Sequence, residues 1–144
     1  MPTAESILAQ KGRDVITIVP DDSIHAAANL MNQRAIGGLV VTDDGQMVGI
    51  ITERDVLRRV VAERRDPATT AVREVMSTPV VSCRAEAKLE ECGAVMTAKR
   101  IRHLPVADDD GLVGIITSGD ILAYQVEDQE ATIKHLNSYI FNVR

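Results

Sequence analysis

Two short phrases in this sequence, VGIITERD and VGIITSGD, carry the same pair of polar residues at the same spacing. Thr52 and Asp55 in the first phrase correspond to Thr117 and Asp120 in the second. A hydroxyl at the start of a helix lies beside free backbone N–H groups, an arrangement that suits a phosphate group. A carboxylate close by can accept hydrogen bonds from ribose hydroxyls, as an acidic residue does in dinucleotide-binding folds. The spacing is therefore compatible with half of a nucleotide site, written twice.

The same spacing is also typical of a helix start that binds no ligand. Thr52 would be the N-cap, with its hydroxyl accepting a hydrogen bond from the backbone N–H of Asp55. The Asp55 carboxylate would then lie in the first turn, where the helix dipole favours a negative charge. Because the two interpretations use the same geometry, the spacing alone leaves both open, and both can hold in one protein.

The two phrases belong to a longer internal repeat. At an offset of 65 residues, segment 15–61 aligns without a gap with segment 80–126. Within it, VVTDDGQMVGIITERDVL pairs with PVADDDGLVGIITSGDIL. Each copy reads as strand, helix, strand, turn, strand and helix, because β-rich runs, helical apolar periods and a DDG turn follow one another. Each copy is too small to bury its sheet alone, so we expect the two to pack together about a pseudo-two-fold axis.

The individual elements can be placed from the same patterns. The first strands are predicted at Val15–Val19 and Val80–Cys83, and a hairpin lies around each DDG turn. The last helix of each copy begins at Thr52 or Thr117. The C-terminal stretch EDQEATIKHLNSYIFNVR is predicted to form one more helix, which packs against the same molecule or a second copy. The apolar positions of the predicted helices are Ile24, Ala27, Ala28 and Met31; Leu89, Cys92, Gly93 and Met96; and Ile133, Leu136, Tyr139 and Ile140.

Composition argues against several classes of protein. The 144 residues are 45% hydrophobic and only 2% aromatic, so almost nothing is available to stack on nucleic-acid bases. The net charge of -5 also opposes a nucleic-acid partner. No apolar stretch approaches the ~18 residues of a membrane span, and the two cysteines make neither a disulfide framework nor a zinc cluster. We therefore expect a cytoplasmic protein without a metal, a membrane or a nucleic-acid partner.

The duplicated pattern Gly-hydrophobic-hydrophobic-Thr-x-x-Asp, preceded in the second copy by IRHLPVADDDG, resembles the cystathionine-β-synthase (CBS) domain family in its usual tandem pair. The resemblance covers the chain from Ser6 to Glu127. It implies an α/β (α+β) fold in which two β-α-β-β-α units pack sheet to sheet. Here residues 1–65 and 66–127 would form the units, and residues 128–144 would form a helical tail.

The resemblance also implies a ligand class. The family has a cleft on each side of the contact between its units, and these clefts commonly bind AMP, ADP, ATP or S-adenosylmethionine. Such a molecule would be a regulatory ligand, and no cofactor is obligatory. Members are typically regulatory sensors, and two pairs often assemble into a disc-like homodimer.

Individual residues acquire roles from the same resemblance. The ribose-binding aspartate falls on Asp55 and Asp120, and the phosphate-side hydroxyl falls on Thr52 and Thr117. Each cleft combines this motif of one copy with the first strand and the second-strand start of the other. The first cleft would gather Thr52, Arg54, Asp55, Val81, Ile101, Arg102 and His103. The second cleft would gather Thr117, Ser118, Gly119, Asp120, Ile16, Ile36, Gly37 and Gly38.

The two clefts are therefore unequal. Arg54 and the pair Arg102–His103 supply cations to the first cleft, whereas Gly119 and Gly37–Gly38 stand at the same positions of the second. We expect the first cleft to bind an adenine nucleotide. The second would remain empty, bind more weakly or take a ligand with less phosphate.

Two functions fit these features. The first is a regulatory sensor that binds an adenosine-containing ligand and signals in trans to a partner protein. The alternative is a ligand-free oligomerisation or interaction module, in which Thr-x-x-Asp only caps helices. An enzyme is not expected, because the sequence contains no nucleophile elbow, metal cluster or glycine-rich phosphate loop.

Overall fold

The computed structural model describes the backbone of residues 1–141 and the side chains of residues 1–137. Both copies contain the helix, hairpin and second helix that the repeat predicts. In chain order the elements are α1 (Ala4–Lys11), β1 (Thr17–Ile18), α2 (Ile24–Arg34), β2 (Gly38–Asp43), β3 (Gln46–Thr52), α3 (Glu53–Val56) with a π-helical extension (Leu57–Val61), a 3₁₀ turn (Val72–Glu74), α4 (Leu89–Lys99), β4 (His103–Asp108), β5 (Gly111–Thr117) and α5 (Ser118–Phe141).

The two predicted hairpins are confirmed. β2 pairs antiparallel with β3, and β4 pairs antiparallel with β5. The register shifts after Val41 in the first hairpin and after Val106 in the second, at equivalent positions of the repeat. The turns use Gly45 and Gly111, whose φ values of 77° and 120° are conformations that glycine adopts without steric cost. β1 adds to the first sheet in parallel with β2.

The predicted helix faces are confirmed as well. α2 begins after Ser23, whose hydroxyl accepts a hydrogen bond of 3.0 Å from the backbone N–H of Ala26. Ile24, Ala27 and Met31 are buried on α2, and Ala28 is partly buried. The equivalent positions of α4 behave alike: Leu89, Cys92 and Met96 are buried and Gly93 is partly buried.

The strand predicted at Val80–Cys83 is wrong, because only a single bridge forms there, between Cys83 and Val106. In the first copy the backbone N–H of Val40 donates to the carbonyl of Ile16 at 3.4 Å. The residue equivalent to Val40 is Pro105, which has no N–H to donate. The equivalent backbone hydrogen bond is therefore missing in the second copy, and the second sheet remains a two-stranded hairpin.

The predicted tail helix is continuous with the last helix of the second copy, and together they form the 24 residues of α5. No glycine or proline follows Gly119 within α5, so no residue ends the helix early. Ile133 and Leu136 are exposed, whereas the side chains of Tyr139 and Ile140 lie outside the described residues. Within the described part of the chain, no helix combines the length and the apolar character needed to cross a membrane.

Two hydrophobic cores are present, and each is completed by a segment that precedes the other copy. α1 contributes Ala4, Ile7 and Leu8 to the core of the second copy. The 3₁₀ turn contributes Val72 to the core of the first copy, together with the following Val75. The chain therefore crosses between the copies twice, and this exchange fixes their relative position.

The two sheets meet about a pseudo-two-fold axis. β3 and β5, which are equivalent strands, pack against each other. Gly38 and His103 are equivalent positions of the repeat, and they lie close together. A Cβ atom placed on Gly38 would lie 3.1 Å from Cδ2 of His103. Equivalent positions that contact each other must lie beside the axis. A side chain at Gly38 would crowd the ring of His103, so the glycine in one copy leaves room for the histidine in the other.

Gly114 provides a test of the exchange between the copies. A Cβ atom placed on it would lie 2.6 Å from Cδ2 of Leu8, which is fully buried in the second core. We expect Gly114→Ala to lower the free energy of unfolding by about 1–3 kcal/mol, because α1 must move to accept the methyl group. Urea unfolding followed by circular dichroism measures this loss.

The matched control is Gly93→Ala, within α4, where no atom lies within 4 Å of the added Cβ. This substitution should stabilise the protein by roughly 0.5–1 kcal/mol, because alanine is the better helix former. Equal stability of the two variants would contradict the packing of α1 on β5.

Candidate functional site

The first cleft is a cavity of 570 Å³ between the two copies. This volume falls in the range of small-molecule sites. All seven residues expected in the first cleft line it: Thr52, Arg54, Asp55, Val81, Ile101, Arg102 and His103. Gly37, which was expected in the second cleft, also lines it, because it lies near the pseudo-two-fold axis. The remaining lining residues are Ile50, Glu53, Leu57, Arg58, Ser77, Pro79, Val80 and Arg100.

The capping interpretation of Thr-x-x-Asp is confirmed in both copies. The backbone N–H of Asp55 donates to Oγ1 of Thr52 at 3.2 Å, and the N–H of Thr52 donates to Oδ2 of Asp55 at 3.0 Å. The corresponding distances between Asp120 and Thr117 are 3.1 and 2.9 Å. Each carboxylate oxygen can accept more than one hydrogen bond, so capping leaves these aspartates able to accept ligand hydroxyls.

Asp55 is held rigidly in the first cleft. Its side chain is buried at 8% exposure, and the hydroxyl of Ser77 donates to Oδ1 at 2.9 Å. Sequence reasoning missed Ser77 because its equivalent in the first copy is Gly12, so the repeat gave no signal for it. A carboxylate with both oxygens fixed by donors presents its remaining lone pairs in one direction, as a specific hydroxyl site requires.

The cavity lining combines aliphatic and charged side chains. Ile50, Leu57, Val80, Val81 and Ile101 provide aliphatic surface against which a flat ring can pack. The charged lining residues are Glu53 and Asp55 with Arg54, Arg58, Arg100 and Arg102. The cations exceed the carboxylates there even though the whole chain has a net charge of -5.

His103 contributes a neutral ring to this site. Burial lowers the pKa of His103 below its ordinary value, and the nearby Lys11 and Arg102 act in the same direction. Glu53 and Asp120 oppose this lowering but do not cancel it. His103 is therefore uncharged at neutral pH, and the cationic contribution expected from Arg102–His103 comes from the arginine.

The second cleft differs from the first because Lys11 reaches into it from α1. Its Nζ lies 2.7 Å from Oδ2 of Asp120 and donates to the carbonyl of Ile115 at 3.0 Å. In the first cleft the equivalent carbonyl, that of Ile50, accepts instead from the backbone N–H of Ser77 at 2.8 Å. Sequence reasoning found no cation for the second cleft, because Lys11 lies outside the repeated segment.

None of the three cavities described here brings together the residues expected in the second cleft. Two further cavities are present, of 790 and 490 Å³, and neither is lined by Thr117, Asp120 or Ile16. Ser118 lines the larger one, and Ile36 and Gly37 line the smaller. A Cβ atom placed on Gly38 would lie 3.1 Å from Cδ2 of His103, and one placed on Gly119 would lie 3.7 Å from Oγ1 of Thr117. Within the described residues, no group of three or more metal-ligating side chains is arranged to hold a metal ion.

Comparison with known proteins identifies the repeat. The family model described as CBS domain matches residues 10–62 and again residues 72–127. A solved structure of a protein with CBS domains from Burkholderia ambifaria is 38% identical, with a TM-score of 0.86 over 88% of this chain and 96% of that chain.

Two further similarities concern context. Inosine-5'-monophosphate dehydrogenase of Methanocaldococcus jannaschii is 40% identical over 85% of this chain, but the match covers only 24% of that enzyme. A hexameric CBS-CP12 protein from bloom-forming cyanobacteria is 32% identical, with a TM-score of 0.76 over 85% of this chain and 70% of that chain. Chains related to this one therefore occur both as part of an enzyme and in an oligomer.

The partly buried His103 predicts a pH dependence of stability. The unfolded chain takes up a proton on His103 near pH 6.5, whereas the lowered pKa of the folded state resists it. This contribution to stability is therefore complete above that pH and is lost as the pH falls below it. We expect His103→Gln to flatten the decrease in the free energy of unfolding between pH 7.5 and 5.5, measured by urea titration.

His25→Gln is the control, because this exposed histidine lies on α2 away from both clefts. It should leave the pH dependence as in the wild type. An unchanged slope in His103→Gln would mean that His103 is not a buried neutral ring.

Proposed function

The chain belongs to the CBS domain family as a tandem pair, and from this premise we propose that it is a regulatory sensor for an adenosine-containing ligand bound in the first cleft. The observation that carries the proposal is the convergence of Thr52, Asp55 and Arg102 on one cavity of 570 Å³. A hydroxyl, a fixed carboxylate and cations beside aliphatic surface are the groups that a nucleotide needs. The ligand candidates are AMP, ADP, ATP and S-adenosylmethionine.

Each part of the ligand has a complement in the cavity. The base would pack between the side chains of Val81 and Ile101. The ribose hydroxyls would donate to the carboxylate of Asp55, whose orientation Ser77 fixes. The first phosphate would be bound by the hydroxyl of Thr52 and the guanidinium of Arg102.

The second cleft is proposed to remain without nucleotide. Lys11 already supplies Asp120 with a cationic partner, and the ammonium group lies at the carboxylate that a ribose would use. Leu8 of the same helix packs on Gly114, so α1 is held close to this cleft. A ligand would have to displace Lys11 before its ribose reached Asp120.

The signal is proposed to pass in trans to a separate protein in the cytoplasm, and the chain itself is proposed to perform no catalysis. In the related dehydrogenase, the matching segment makes up only 24% of the enzyme. The described residues here form two CBS units and the extended helix α5, with the cavity open to a ligand. A ligand that favours one arrangement of the two units would change the surface that a partner contacts.

The central prediction is a difference between two aspartates. Saturation with the cognate nucleotide at about a hundred times its dissociation constant should stabilise the wild type by roughly 2.7 kcal/mol. Asp55→Ala should abolish this gain in addition to the ~0.5–2 kcal/mol lost with the cap, whereas Asp120→Ala should lose its cap and its ion pair with Lys11 and retain the gain. Thermal unfolding with AMP, ADP, ATP and S-adenosylmethionine measures both effects.

Calorimetric stoichiometry completes this test. The wild type should bind one nucleotide per chain, and Lys11→Met should permit a second that Asp120→Ala removes. Absence of any ligand-induced stabilisation would favour the alternative, a ligand-free interaction module. Two nucleotides per wild-type chain would contradict the inequality of the clefts while leaving the sensor proposal intact.

A homodimer is proposed from a duplicated apolar surface. Leu57 and Leu122 are equivalent residues that are each 61% exposed, and Val61 and Val126 are exposed at the next helical turn. A surface with its own approximate two-fold symmetry suits a symmetric contact with a second copy. Sedimentation should show a dimer that Leu57→Glu combined with Leu122→Glu converts to a monomer. A monomeric wild type at micromolar concentration would contradict the proposal.

A further inference from the structure

A basic groove adjoins the first cleft. Its volume is 790 Å³, and the two spaces overlap because they share seven lining residues: Arg54, Asp55, Arg58, Ser77, Arg100, Ile101 and Arg102. Asp55 is its one carboxylate among the described lining residues. Its cationic side chains are those of Arg54, Arg58, Arg59, Lys99, Arg100 and Arg102.

These cations lack carboxylate partners within the described residues. The ion pairs among the described residues are formed by cations outside the groove, namely Lys11, Arg13, Arg65, Arg73 and Arg84. In the groove, Arg54 donates to the carbonyl of Arg100 at 3.3 Å, and Arg59 donates to the carbonyl of Val75 at 2.9 Å. Backbone carbonyls orient a guanidinium without neutralising its charge, so the groove keeps a strong positive potential.

Local structure explains only part of this cluster. Lys99 and Arg100 end α4, where the helix dipole favours cations. Arg58 belongs to the π-helical extension of the first copy, and Arg102 precedes β4 of the second. Separate elements from both copies therefore bring like charges to one place, where a bridging anion would relieve their repulsion.

We propose that the groove binds the outer phosphates of an adenine nucleotide whose adenosine occupies the first cleft, so that the ligand is a nucleoside polyphosphate such as ATP. The proposal rests on the function proposed above and narrows its ligand class. The first phosphate lies near Thr52 and Arg102, and the phosphate chain continues past Arg58 toward Arg59 and Lys99. Phosphate oxygens accept charge-assisted hydrogen bonds from guanidinium and ammonium groups, and each added phosphate gains such partners here. S-adenosylmethionine is disfavoured, because its sulfonium is itself a cation.

The test compares ligands that share adenosine and differ in phosphate number. Isothermal titration calorimetry of the wild-type chain with AMP, ADP and ATP at one fixed salt concentration should give increasing affinity, with ATP at least about tenfold tighter than AMP. Raising the salt concentration should weaken ATP more than AMP, because more charged contacts are lost. Inorganic tripolyphosphate should compete with ATP.

The variant that isolates the groove is Arg59→Gln combined with Lys99→Gln. Both positions line the groove and neither lines the first cleft, and the side-chain hydrogen bonds of Arg59 go only to the backbone carbonyls of Val75 and Met76. We expect the affinity for ATP to fall at least about tenfold and that for AMP to change less than about threefold. The control, Arg34→Gln combined with Lys88→Gln, makes the same change in net charge outside the groove and should preserve both affinities.

The outcomes separate the two proposals. Equal affinities of the wild type for AMP and ATP, or an equal loss for both in the groove variant, would overturn the groove assignment and leave the nucleotide sensor standing. Absence of binding for every adenine compound would overturn the sensor and the groove assignment together. If the control lost as much ATP affinity as the groove variant, the loss would be explained by the change in net charge. That result would overturn the groove assignment alone.

Discussion

The exchange of short segments between the two copies is the constraint on which the rest of the structure depends. α1 packs on β5 at Gly114, and the chain around Met76 packs on β3 at Gly49, where an added Cβ would lie 2.6 Å from its Sδ. Neither small sheet buries its inner face alone, so each copy needs the segment that precedes the other. This mutual dependence sets the distance between the sheets. The clefts on either side of the axis exist because that distance is fixed.

Because the exchanged segments differ, a duplicated sequence has produced two unequal clefts. The exchanged segments are the least similar part of the two halves, and each ends beside one of the aspartates. Ser77 gives Asp55 a hydroxyl donor, whereas Lys11 gives Asp120 a cation. A hydroxyl orients a carboxylate and leaves its charge available, but an ammonium group neutralises it. One side chain from outside the repeat, Lys11, thus decides that Asp120 is already paired with a cation whereas Asp55 is not.

Capping and ligand binding are compatible uses of the Thr-x-x-Asp pattern. The cap fixes the rotamers of Thr52 and Asp55 by local hydrogen bonds, so their orientation costs a ligand little conformational entropy. The surrounding charge then decides what the site attracts. Guanidinium groups from both copies gather at this cleft although the whole protein is acidic, which focuses the field on an anionic ligand.

The sequence by itself determined the two units, their hairpins and helix caps, because these follow from local patterns repeated at a fixed offset. The seven residues of the first cleft were predicted from the resemblance to the CBS domain family, carried onto the matching positions of this sequence. The tail was predicted as one more helix, and its continuity with the last helix of the second copy came from the structure. The missing backbone hydrogen bond at Pro105 could be recognised only from the register of the sheet. Only the tertiary structure placed Lys11 on Asp120 and Ser77 on Asp55, and gathered the basic groove. These contacts join residues far apart in the chain, and their geometry depends on how the two copies pack, which no periodicity records.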